Sequence, residues 1–205
     1  MNASHDQLDV ISTIVSRQSV RDFDRNAVIP DQDLTEILTV ASKAPSAWNL
    51  QHWRYLVIRE RESKDRLLPI AYHQQQVSDA SAVILVLGDL QANLSAPDVF
   101  ATASPEVRDM IVQQVEGAYT NIPLFARDEA IRNPSFAAMQ LMLAAKAKGY
   151  DTVPMGGFDS ATVKKEFKIP DRYVPVVMIA LGKAAAPTRA TERFTLDQLV
   201  TYESF

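Results

Sequence analysis

Most of the side chains in this sequence that could do chemistry fall in three short stretches. The first, Ala44-Pro45-Ser46-Ala47-Trp48-Asn49-Leu50-Gln51-His52-Trp53, places two Trp, an Asn, a Gln and a Ser within ten positions. Each amide side chain offers a donor and an acceptor, so Asn49 and Gln51 suit a ligand edge on which the two alternate, and indole supplies flat apolar area. A packed loop with its tryptophans in the core accounts for the same residues. In the second, Arg17-Gln18-Ser19-Val20-Arg21-Asp22-Phe23, two arginines four apart with a serine between them can direct two guanidinium forks and a hydroxyl at one anion. A solvated helix end paired with Asp22 and Asp24 is the alternative. The third, Gly149 to Asp159, holds three of the six glycines and permits close backbone approach to something flat or charged. A Gly-Gly pair also commonly marks nothing more than a turn.

Composition narrows what that chemistry can be. The 205 residues suffice for one domain with a substantial core. With 21 basic and 25 acidic residues the net charge is −4, so no global field draws the chain to nucleic acid or to anionic membranes. Cysteine is absent, which excludes disulfides, thiolate metal ligands and a Cys nucleophile, and leaves redox chemistry to a bound cofactor. The first residues lack a basic segment followed by an apolar one, and Ala82 to Leu87 is far short of a membrane span. A cytoplasmic protein is the simplest expectation.

The elements that must position these stretches are read from periodicity and punctuation. Asp6 opens a helical pattern with Leu8, Ile11 and Val15 on one face. Ile29-Pro30-Asp31 starts a second helix, with Asp31 as N-cap, Leu34, Ile37, Leu38 and Ala41 as its buried stripe and Pro45 as its end. Arg54–Ile58 and Ala82–Leu87 read as interior strands, the latter covered on both faces, with a helix ending near Pro69 between them. His73 to Val77 is a polar run that reads as a solvated helix face. Ser104-Pro105-Glu106 opens a helix reaching about Thr120, and Asn133-Pro134 repeats that cap-and-proline signal. Ser135 to Lys148 is then the buried central helix, with Met139 and Met142 in the core and Gly149 just past its end. Ser160 caps a short helix through Phe167, and Tyr173 to Leu181 forms a third β run. The tail from Ala184 to Phe205 has one small apolar cluster, Leu196-Leu199-Val200, and must lean on something else.

Taken in order, Arg17–Phe23, Ala44–Trp53, Pro154-Met155-Gly156-Gly157-Phe158-Asp159 and Arg193 before Leu196 resemble the FMN-dependent nitroreductase family, from about Ile11 to about Val200. The resemblance implies an α+β fold, an α/β/α sandwich on a central mixed sheet, over a single domain of residues 1–205. It also implies an intertwined homodimer with FMN at the subunit interface and residues 184–205 reaching over the partner. It places Arg17, Gln18, Ser19 and Arg21 around the FMN phosphate and ribityl chain, with Arg193 at the same phosphate. Two residues before Arg193, where the family commonly has a second basic group, stands Thr191, with Arg189 as the nearest substitute. Pro45, Ser46, Ala47, Asn49 and nearby Gln51 match the loop that reaches the flavin of the other subunit, with His52 where the family often has Pro. Gln76 matches a polar position at the pyrimidine edge. Pro154, Met155, Gly156 and Gly157 match the loop crossing the ring, with the Gly156 amide directed at N5. Some relatives carry Glu there, and glycine leaves that face more open.

The function so implied is that of an NAD(P)H oxidoreductase. NADH or NADPH gives a hydride to FMN and leaves, and a nitroaromatic, quinone or similar acceptor follows. No side chain serves as catalytic acid or base, and no metal, nucleic acid or membrane is involved. An FMN-storing or redox-responsive module without turnover, and a dimer whose site has decayed, are the readings from other classes.

Overall fold

The computed structural model describes residues 9–188 and 191–205, so the readings on Asp6, Leu8 and Arg189 lie outside the described residues. Thirteen elements follow in chain order. They begin with α1 (Val10–Ser16), α2 (Asp31–Ala41), β1 (Trp53–Ile58), α3 (Arg61–Ile70), α4 (Gln76–Asp79) and β2 (Ala82–Asp89). They continue with α5 (Ala96–Val99), α6 (Pro105–Asn121), α7 (Phe125–Ala147), β3 (Asp151–Met155), α8 (Ser160–Glu166), β4 (Tyr173–Gly182) and α9 (Leu196–Leu199).

The strands form one sheet in the order β1-β2-β4-β3. Strand β2 is buried along its whole length, as its unbroken apolar run requires. Its side chains alternate across the sheet. Ala82, Ile84 and Val86 join Ile37 of α2 and Leu141 and Ala145 of α7 in one core. Val83, Leu85 and Leu87 join Leu67 of α3, Val77 of α4 and Val163 of α8 in another. Two helical layers around a sheet are the expected α/β/α sandwich. Every strand pair is antiparallel, so the sheet proper is not mixed. Among the described residues, parallel pairing is confined to the bridge between Ser19 and Thr152 beside β3.

Several local readings change once tertiary partners are present. Pro30, with φ −62° and ψ 148°, is the N-cap of α2, and the Asp31 carboxylate instead pairs with Arg59. Asp159 rather than Ser160 caps α8, its carboxylate accepting from Thr162 N at 2.9 Å. Thr152 to Met155 lie in a fourth strand, since this part of the glycine-rich stretch pairs with β4. Met142 is buried as expected, whereas Met139 is exposed on the outer side of α7. Gln76 is buried rather than on a solvated face.

The largest change concerns Asn133-Pro134, which lies inside α7 and does not open it. Pro134 has no N–H to donate to the Ala130 carbonyl, and that carbonyl is where α7 meets β2. A Cβ built on Gly88 would sit 1.7 Å from Ala130 O. Gly88→Ala is therefore expected to force α7 off the sheet and to lower stability by about 1–3 kcal/mol or more. Urea unfolding measures this, and an unchanged midpoint would show that the helix shifts freely.

Candidate functional site

Residues from the two ends of the chain build the first part of the site. Ser19 bridges to Thr152, and Val20 N donates to Thr152 O at 3.1 Å, so the Arg17–Arg21 stretch runs along the edge of β3. Phe23 bridges to Ala184, and Ala185 N donates to Asp22 O at 2.8 Å, which brings the chain after β4 alongside. Between them opens a cleft of about 530 Å³ lined by Ser19, Arg21, Asp22, Thr188, Thr191 and Arg193, among others. The Arg17 and Arg21 guanidinium groups make no ion pair or hydrogen bond with another described residue, whereas Arg25 is committed to Asp79 at 2.9 Å. The Arg21 fork and the Ser19 hydroxyl line this cleft, groups of the kind that bind anions, whereas Arg17 is not among its lining residues. Gln18 is turned to the Thr188 hydroxyl, which donates to its Oε1. Arg193 donates to Thr191 Oγ1 at 2.9 Å, so the threonine supports the arginine.

The second part follows along β3. Gly156 lies four positions after Thr152, a reach of about 13 Å at strand rise. Gln76, at the start of α4, donates to Met155 Sδ at 3.4 Å and to Gln74 Oε1 at 3.3 Å. Gln74 in turn donates to Gly157 O at 2.7 Å. Pro154, Gly156 and Gly157 are exposed while Met155 is buried beneath them. A Cβ on Gly156 would meet no atom within 4 Å. Open space, and not a clash, surrounds that backbone.

The third part is the Pro45–Gln51 loop, which stands on β1 and α7. Trp48, Asn49 and Gln51 have φ of 47°, 53° and 51°, in the left-handed region that non-glycine residues rarely enter. Such residues cost of order 1–3 kcal/mol each and persist where surroundings hold them. The holding contacts are visible. Ser46 Oγ accepts from Gln51 N at 3.0 Å, the Gln51 side chain donates to Asn49 O at 3.0 Å, and Ala47 N donates to Asn133 Oδ1 at 2.9 Å. The Asn49 side chain and Pro45 are exposed. His52 is fully buried, with Nε2 3.0 Å from the Tyr119 hydroxyl and its carbonyl accepting from Asp89 N at 2.7 Å. Burial pushes its imidazole below the usual pKa against the fields of Glu129 and Asp89. Trp48 packs edge-on against Phe125 at 6.1 Å, while Trp53 lies in the core.

Ser19, Arg21 and Arg193 are thus brought together in one chain, and Gln76 joins the Met155–Gly157 segment. The Pro45–Gln51 loop makes its contacts elsewhere, on β1 and α7. Sequence reasoning missed Thr188, Gln74, Asn133 and Glu129. Thr188 shows itself only through its contact with Gln18 and Gln74 through its bond to Gly157 O, both distant in sequence, and Asn133 was hidden by its resemblance to a cap.

In comparisons with known proteins, residues 14–183 match the Nitroreductase family. The Bacillus subtilis protein YodC, provisionally named an NAD(P)H nitroreductase, is 46% identical over 200 residues, covering 95% of this chain and 98% of its own. A CLA biosynthesis enone reductase from Lactiplantibacillus plantarum is 34% identical over 196 residues, covering 91% of this chain and 90% of its own. A crystal structure from Exiguobacterium sibiricum, titled as a provisional nitroreductase in complex with FMN, superimposes with a TM-score of 0.89 at 36% identity, covering 96% and 98%.

Proposed function

Since this chain belongs to the nitroreductase family and is an FMN-dependent oxidoreductase, we propose that it oxidises NADH or NADPH and reduces nitroaromatics, quinones or similar small acceptors. The observation that carries this reading is the cleft in which Ser19, Arg21 and Arg193 converge from opposite ends of the chain. Its donor set fits a phosphate monoester, which carries about −1.5 to −2 charges near neutral pH. Each charge-assisted hydrogen bond there contributes about 1.5–3 kcal/mol. FMN, when bound, supplies the hydride relay between nicotinamide and acceptor. The chain supplies everything else. Arg17, Gln18, Ser19, Arg21 and Arg193 hold the phosphate and ribityl chain. Gln76, held by Gln74 and Met155, would present an amide to the pyrimidine edge of the flavin, and the Pro154–Gly157 backbone, with the Gly156 N–H, would hold its ring. With no side chain at Gly156 and no atom within 4 Å of where a Cβ would stand, this backbone would leave room beside the flavin for nicotinamide and acceptor in turn.

We further propose a homodimer in which Pro45, Ser46, Ala47, Asn49 and Gln51 serve the partner's flavin. Val10, Ile11, Ile14 and Val15 of α1 are exposed, as are Phe194, Leu196, Leu199, Tyr202 and Phe205 of the tail. Apolar surface of this extent calls for cover, and a second chain supplies it. No helix among the described residues is long and apolar enough to cross a membrane, and we place the protein, as one domain over residues 1–205, in the cytoplasm.

If one face serves both substrates in turn, initial rates at several fixed acceptor concentrations should give parallel double-reciprocal lines. Anaerobic NADH or NADPH should bleach the FMN-loaded protein within seconds before any acceptor is added. Intersecting lines would require a ternary complex. A flavin that neither nicotinamide reduces would make the protein a flavin-binding module instead.

A further inference from the structure

The Asn133-Pro134 pair resembles a helix start yet forms the ninth and tenth residues of α7, so its presence there needs another reason. The Asn133 side chain is 2% exposed and fully engaged. Its Nδ2 donates to Glu129 O at 2.8 Å and to Glu129 Oε2 at 2.7 Å, while its Oδ1 accepts from Ala47 N at 2.9 Å. Glu129 is itself 5% exposed and pairs with Arg132 at the surface. A buried carboxylate therefore fixes the amide, and the amide grips the backbone one residue before three left-handed positions in four, Trp48, Asn49 and Gln51. On the other side the loop is braced by rings. Trp48 lies edge-on to Phe125, Phe125 edge-on to Tyr119 at 5.4 Å, and the Tyr119 hydroxyl meets His52.

We propose that Asn133, oriented by Glu129, is the positioning residue that holds the Pro45–Gln51 loop in its flavin-contacting conformation. This rests on the reading of that loop as a flavin contact. Both side chains are buried and bonded to each other and to the loop backbone, so they act on the cofactor through the loop. Their role is to keep the loop from relaxing into the extended backbone that Trp48, Asn49 and Gln51 would otherwise prefer. The effect is then on cofactor affinity beyond any effect on folding.

The test compares FMN dissociation constants and thermal midpoints of the full-length protein. Asn133→Ala leaves the Ala47 N–H without its buried partner and should weaken FMN about tenfold. Leu141→Val, a core change about two turns further along α7, should lower the midpoint and leave FMN affinity within about twofold. Should Asn133→Ala not fold, Asn133→Asp carries the test. It sets two buried carboxylates against each other and should weaken FMN, and adding Glu129→Gln, which restores a donor between the two side chains, should recover the affinity. FMN affinity that falls in proportion to the midpoint in every variant, Leu141→Val included, or an Asn133→Asp variant that Glu129→Gln does not rescue, would overturn the proposal. If Arg21→Ala weakens FMN and the Asn133 variants do not, this proposal fails alone. If the wild-type protein takes up no FMN, the underlying reading of the site fails with it.

Discussion

Truncation after Ala185 is expected to release FMN and to abolish the dimer together. The cut belongs there and not directly after β4, because Lys183 O accepts from Asp24 N at 2.9 Å and Ala185 N donates to Asp22 O. Residues 183–185 thus support the Arg17–Arg21 stretch and must be kept. What the truncation removes is Thr188, Thr191 and Arg193 of the cleft and a tail whose described residues, 191–205, are all exposed. Helix α9 buries no residue even though a Thr195–Gln198 capping box starts it well. A capped helix with an exposed apolar face has its packing partner elsewhere. Losing Arg193 alone should weaken FMN by about 1.5–3 kcal/mol. If the tail also covers the partner, as interfaces burying more than roughly 2,000 Å² do in obligate dimers, ligand and assembly are linked by mass action. The truncated protein should then sediment as monomer or aggregate and lose flavin on dialysis. A truncated monomer that binds FMN as tightly as the full chain would refute the coupling.

Arg21→Ala should weaken FMN by about 2–3 kcal/mol, roughly 30- to 150-fold. Arg21 is exposed and has no internal partner among the described residues, so its removal orphans no buried group. Stability of the FMN-free protein should be unchanged, which separates loss of binding from loss of fold. Arg25→Ala provides the comparison. Its guanidinium is close in sequence but already neutralised by Asp79, so FMN affinity should stay within about twofold. Raising ionic strength should narrow the difference between wild type and Arg21→Ala, since part of that contact is screened by salt. Equal flavin retention by Arg21→Ala and wild type would remove the phosphate assignment.

Where a signal is local, the sequence by itself determined the outcome. The apolar run Ala82–Leu87 is strand with both faces covered, because nothing in it could face water. Ser104-Pro105 opens α6, since Ser104 supplies a side-chain acceptor and proline lacks the donor a first turn cannot use. Gly149 ends α7 with φ of 75°, which its missing Cβ permits. The spacing of Arg17, Ser19 and Arg21 suited an anion site and a solvated helix end alike, and only the resemblance to the family favoured the first. Tertiary structure decided the cases in which a local signal had two solutions. Asn133-Pro134 became the middle of a helix because its lost backbone bond lies where Ala130 meets Gly88 and its amide holds Ala47. Half of a glycine-rich stretch became β3 because β4, some twenty-five residues later, offered it a ladder. Thr188 meets Gln18 across 170 residues. No window of sequence contains such pairings, because the energy that selects them appears only when distant segments are packed against one sheet.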